Sequence, residues 1–111
     1  MTVFAKRLKD ARLLKNVSQE KLGLMAGLEE ASSSTRMNRY ELGKRVPNYS
    51  VVQKMAEALN FPVAYFYAES DTEAEVLLVM HRLDAVGRKQ LLDMALGMLN
   101  GSNNSYQLGP A

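Results

Sequence analysis

The chain has no cysteine, a single histidine (His81) and only three prolines among its 111 residues. Without cysteine there are no disulfides and no thiolate chemistry. With one histidine, a metal site would have to be built almost wholly from carboxylates, so no metal and no other cofactor is expected. No apolar run approaches the roughly 18 residues that a membrane span requires, and no membrane association is expected. The first residues, Met-Thr-Val-Phe-Ala-Lys-Arg, lack the apolar stretch and cleavage site of a secretory signal, which points to a soluble, cytoplasmic protein. A second histidine, a glycine-rich phosphate loop and a nucleophile paired with a base are also missing, so the chain is not expected to be an enzyme. Strand-length alternation and internal repeats are absent as well, and the expected class is all-α.

Charge is unevenly spread. The chain carries +2 overall, but residues 1–50 hold ten Lys and Arg against five acids, whereas residues 51–111 hold four against seven. The basic half is where a polyanion would be met. A length of 111 residues suits one small domain, with or without an appendage.

Helical spacing dominates the pattern. Phe4, Leu8, Ala11 and Leu14 form one helical stripe, with Lys6, Arg7, Lys9, Arg12 and Lys15 as its basic remainder and a stop near Asn16. Ser18 suits the N-cap of a second helix, since its hydroxyl can accept from free amides of the next turn. Leu22 and Met25 would line that helix's apolar face, and Gly27 would end it. Residues 28–35 read as a loop running into a cap for which Ser32, Ser33 and Ser34 are all suitable. Met37 and Tyr40 mark a short third helix ending before Gly43. Pro47 disfavours helix at Val46. Ser50 is expected to cap a fourth helix with Val52, Met55, Ala56 and Leu59 inward and Asn60 as the stop. Pro62 suits the first turn of a short fifth helix through Tyr67. Further helices are expected over 72–81 and 85–99. Thr72 with Glu75, or Ser70 with Glu73, has capping-box spacing for the first, and Asp84 can cap the second. Residues 101–111 lack periodicity and are expected to be a disordered tail.

Two short helices joined by a turn, with Ser18-Gln19 at the start of the first, are followed by Arg39-Tyr40-Glu41-Leu42-Gly43-Lys44-Arg45-Val46-Pro47. Together with Leu22 and Gly27, this arrangement over residues 4–67 resembles the Cro/repressor-type (XRE-like) helix-turn-helix DNA-binding family. The resemblance implies a five-helix lambda-repressor-like domain at 1–68, followed here by a C-terminal two-helix extension at 69–100. It also implies a double-stranded DNA partner. Ser34, Thr35, Arg36, Asn38 and Arg39 fall where the family reads bases. Arginine can bond bidentately to guanine and asparagine to adenine, although phosphate contact is open to the arginines and to Asn38, and capping to Ser34. Ser18, Gln19, Ser33, Lys44 and Arg45 match phosphate-contacting regions, which set register and salt-dependent affinity. Arg12 and Glu41 match a pair that forms an internal salt bridge in relatives. The chain departs from the pattern at Gly23, where alanine is usual. The substitution should cost between a fraction of a kcal/mol and about 1 kcal/mol in helix propensity. It departs again between Gly27 and Glu41, where the surplus residues at 28–32 lengthen the turn.

The aromatic run Tyr65-Phe66-Tyr67 is open to base stacking, but packing on the core or at a dimer contact is favoured. The apolar residues at 74–80 and 91–99 are too widespread for an isolated surface hairpin, so their face must be covered by the domain itself or by another subunit. A homodimeric repressor reading a palindromic operator is the leading expectation. The alternatives are an antitoxin or restriction-system controller of the same fold, which would also bind a protein partner, and a protein-interaction module that has lost DNA binding.

Overall fold

The structure is a computed structural model that describes residues 2–101. The expected tail at 101–111 falls outside them, apart from Gly101. All regular elements among the described residues are helical: α1 (Val3–Leu14), α2 (Gln19–Met25), α3 (Ser33–Glu41), α4 (Tyr49–Leu59), a 3-10 helix (Val63–Tyr67), α5 (Asp71–Arg82) and α6 (Ala85–Asn100). None is long and apolar enough to cross a membrane. The chain divides into two compact units, Met1–Leu78 and Val79–Ala111, so the first turns of α5 belong with the larger unit, past the expected boundary at 68.

The larger unit is built on α1. The Thr2 hydroxyl accepts from the Ala5 amide at 3.1 Å and caps the helix. Phe4, Ala5, Leu8 and Ala11 are buried, but Leu14, placed on the same stripe by its spacing, is 66% exposed. The helix ends there, and the chain turns away at Asn16, which has φ +54°. A second departure is Arg7, expected on the basic outer face but only 3% exposed. Its Nε donates to the Ala68 carbonyl at 2.8 Å and its Nη1 to Asp71 at 2.8 Å. A third bond, from Nη2 to the Glu69 carbonyl at 3.3 Å, completes a clamp on the start of α5. Hydrogen bonds from Arg7 and Lys6 hold the Asp71 carboxyl below its ordinary pKa.

Leu22, Met37, Val52, Met55, Leu59 and Phe66 fill the centre of this unit. Phe4, Phe61, Tyr65 and Phe66 form linked ring contacts, with centroids 4.9 to 5.9 Å apart, the spacing aromatic pairs favour. Tyr65 and Phe66 thus belong to the core, as expected, and Tyr67 lies half-exposed beside Phe4. The expected inner face of α4 is the observed one, and Asn60 ends it with φ +56°. Its cap, however, is Asn48, whose side chain accepts from the Val51 amide at 3.0 Å; Ser50 lies inside the first turn. Pro62 precedes the 3-10 helix instead of lying in its first turn. At α5 the choice between caps falls to Ser70, which accepts from the Glu73 amide at 3.0 Å.

In the smaller unit, Asp84 caps α6 through the Gly87 amide at 2.8 Å. Arg88 donates to the carbonyls of Met80 and His81 at 2.9 and 3.1 Å, tying α6 to the C-terminal turn of α5. No residue of α6 is buried, and Val86, Leu92, Met94, Met98 and Leu99 are all exposed.

Candidate nucleic-acid interface

The site is built from α2, the turn after it, and α3. Ser18 caps α2 by accepting from the Lys21 amide at 3.0 Å. Leu22 faces inward as expected, but Met25 is 48% exposed; Ala26 and Leu28 complete the apolar face instead. Gly27, at φ +88°, reverses the chain so that the Leu28 amide bonds back to the Gly23 carbonyl at 2.9 Å. The surplus of the long turn therefore starts from a buried leucine. Glu29, Glu30 and Ala31 bulge outward, and the Ser32 amide donates to the Glu29 carbonyl at 3.1 Å.

The other end of the turn is fixed by Ser33, and here the expected role is overturned. Ser33 is fully buried, and its hydroxyl donates to the Glu20 carbonyl at 2.8 Å. It is a pin between α2 and α3 and is not presented to any phosphate. The hydroxyl occupies space that a side chain at position 23 would need: a Cβ there would lie 1.9 Å from Ser33 Oγ. Gly23 is thus required by Ser33, and its cost in helix propensity is offset by a closer approach of the two helices.

Ser33, Met37, Tyr40 and Glu41 form the inner side of α3. Ser34, Thr35, Arg36, Asn38 and Arg39, the five residues expected to read bases, are all exposed. Gln19, at the start of α2, donates from Nε2 to Asn38 Oδ1 at 3.3 Å, which links the N-terminus of one helix to the outer face of the next. The tilt of α3 is set from below by Arg12. Its guanidinium meets the Glu41 carboxylate two-pronged, at 2.6 and 3.0 Å, and also donates to the Val17 carbonyl at 3.0 Å. The expected internal salt bridge is therefore present. It joins α1, the α1–α2 turn and the end of α3, and only 4% of the Glu41 side chain is exposed.

Beyond α3, Gly43 takes φ +73° and folds the chain back on the helix. The amides of Lys44 and Arg45 both donate to the Arg39 carbonyl, at 3.0 and 3.4 Å. Lys44 and Arg45 are exposed, and Arg45 is drawn beside the helix, where it lines one concavity with Ser32, Arg36, Arg39 and Tyr40. Sequence reasoning assigned no role at the site to Tyr40 or Ser32. Tyr40 was legible only as core, and Ser32 only as a possible cap.

A helix-turn-helix family model matches residues 8–66. Among solved structures, the chain is similar to the crystal structure of transcriptional regulator BswR, at 35% sequence identity and a TM-score of 0.80, over 87% of this chain and 96% of that one. No curated protein matches the sequence.

Proposed function

Because this chain belongs to the Cro/repressor-type helix-turn-helix family, we propose that it is a sequence-specific regulator of transcription that binds double-stranded DNA. In this reading it is a homodimeric repressor, and α3 enters the major groove at each half of a palindromic operator. The observation that carries the DNA reading is the outer face of α3. Five polar side chains, two of them arginines, stand exposed on a helix whose inner side is locked by Ser33, Met37, Tyr40 and the Arg12–Glu41 pair. The major groove of B-DNA admits one helix, and its base edges offer the acceptors and donors such side chains match. Gln19, Lys44 and Arg45 flank the helix as phosphate contacts.

The dimer rests on a separate observation. No residue of α6 is fully buried, and Val86, Leu92, Met94, Met98 and Leu99 are exposed on it, an apolar surface of the kind that marks an interaction site. A second copy covers it most simply, with twofold symmetry. Sedimentation at micromolar concentration should give the mass of two chains; the mass of one would remove the dimer from the account.

The functional reading is tested by selecting bound sequences from random duplex DNA. A palindrome should emerge with half-site centres about 10–10.5 base pairs apart, or a multiple of that. Recovery of no common sequence would overturn it. On the selected duplex, Arg39→Ala should lose about 1–3 kcal/mol of discrimination against random DNA, read as the ratio of the two affinities. Equal weakening on both would remove Arg39 from base reading. Lys44→Ala should weaken binding to every duplex alike and lower the slope of log affinity against log salt by about 1. An unchanged slope would show that Lys44 touches no phosphate.

A further inference from the structure

A short joint leads from the helix-turn-helix unit into α5. The 3-10 helix ends at Tyr67 and α5 begins at Asp71, so only Ala68, Glu69 and Ser70 lie between them. From there α5 runs to Arg82 without glycine or proline, the usual causes of a kink, so its last turn keeps the direction taken by its first. Apolar packing does little to fix that direction. Ala74 is the one buried residue of α5, and Leu77 and Leu78 are only partly buried against the core. The hydrophobic effect resists separation there, but it is non-directional.

Direction comes from Arg7. Its guanidinium bonds to the carbonyls of Ala68 and Glu69 and to the Asp71 carboxylate. These acceptors are two peptide groups of the joint and the first residue of α5. The donors of a guanidinium stand in a rigid plane, so three bonds from one side chain fix orientation as well as distance. Burying a cation at this position costs free energy that an aliphatic side chain would not; what the arginine adds is geometry. Arg7 is carried by α1, the same helix whose Arg12 grips Glu41 at the end of α3. One helix thus holds the recognition helix with one arginine and the root of α5 with another.

We propose that Arg7 is a positioning residue for operator recognition: by fixing the root of α5 to α1, it sets the half-site separation that the dimer accepts. The inference rests on the dimeric, DNA-binding reading and goes beyond it, since it gives a buried side chain a part in choosing DNA. Each base pair inserted between half-sites moves them about 3.4 Å apart and turns them by about a tenth of a helical turn. A rigid dimer then loses simultaneous engagement of both halves, whereas a loosely jointed one follows them at the cost of a lower effective concentration.

The test uses the full chain and three duplexes: the selected one, the same duplex with two base pairs inserted at its centre, and one carrying a single half-site. Wild type should bind the inserted duplex about 100-fold more weakly than the selected one. Arg7→Met should bind the selected duplex about tenfold more weakly than wild type does, yet lose less than about threefold on the insertion. Its affinity for the single half-site should match that of wild type, which a general loss of folding would not allow. Asp71→Ala changes a side chain that is 79% exposed and leaves both carbonyl bonds in place, so it tests the clamp even if Arg7→Met fails to fold. It should relax the insertion penalty part of the way. A penalty as large in the folded variants as in wild type would overturn the proposal and leave the dimer standing. If wild type binds the single half-site as tightly as the selected duplex, the dimer reading fails and takes the proposal with it.

Discussion

Arg12→Ala is expected to destabilise the larger unit by about 3–5 kcal/mol, because it strands the Glu41 carboxylate in the interior. Domains of this size are stable by only about 5–15 kcal/mol, so the loss is a large fraction of the whole. The geometry explains why the effect should exceed that of an ordinary ion pair. The contact is two-pronged, the Glu41 side chain is 4% exposed, and a third guanidinium bond reaches the Val17 carbonyl. Exposed pairs such as Lys89–Asp93 are worth between nothing and about 1 kcal/mol, since solvent screens them. Arg12→Lys should fall between wild type and alanine, because a single ammonium cannot reproduce the fork. Replacing both partners by apolar residues, Arg12→Met with Glu41→Leu, should recover most of the loss, because no charge is then left buried. Urea unfolding followed by helical circular dichroism measures all three. A loss under about 1 kcal/mol for Arg12→Ala would show that the pair behaves as a surface contact.

The second large effect is at Gly23. Helix propensity alone predicts that Gly23→Ala stabilises α2 by up to about 1 kcal/mol. The expected result is the opposite, a loss of about 1–3 kcal/mol from overpacking. The new methyl would meet Ser33 Oγ at 1.9 Å and Met37 Cγ at 3.0 Å, and Ser33 would have to give up the Glu20 carbonyl. Ser33→Ala on its own should cost about 1 kcal/mol for the lost hydrogen bond. The informative variant is the double one. With the hydroxyl gone, the remaining close contacts are 3.0 and 3.2 Å, which small shifts can relieve. Gly23→Ala with Ser33→Ala should therefore be more stable than the sum of the two single losses, with a coupling of about 0.5–3 kcal/mol. Strict additivity would falsify the Gly23–Ser33 pairing.

These two positions also show how far the sequence carries the structure. The elements themselves were legible from the spacing of apolar residues and from caps and stops such as Ser18, Gly27, Gly43 and Asn60. Arg12 and Glu41 were legible through family resemblance, as were the five exposed residues of α3. Ser33 was misplaced because its hydroxyl suggests a cap or a phosphate ligand, yet its spacing gave the answer. Positions 33, 37 and 40 lie on one helical face, and Met37 and Tyr40 had already been assigned to the core. Arg7 has the same history. It lies between Phe4 and Ala11 on the inner stripe of α1, but residue type outweighed position, and its carbonyl and carboxylate partners lie more than sixty residues away. Asn48 displaced Ser50 as the cap of α4 because both residue types suit that role and the choice depends on where the loop after Gly43 delivers the chain. Leu14 and Met25 lie on apolar stripes but close their helices, where both are exposed. In each case the missing information was the neighbouring element, which residue type and local spacing do not contain.

The central claim is that α3 is the surface that meets DNA. It is tested most directly by following backbone amide resonances of the full chain as the selected duplex is added. The account predicts that the largest changes fall at Ser34, Thr35, Asn38 and Arg39, with a second group at Gln19, Lys44 and Arg45, and small changes at Ser33 and Met37. Changes confined to α6, with the outer face of α3 unmoved, would contradict it.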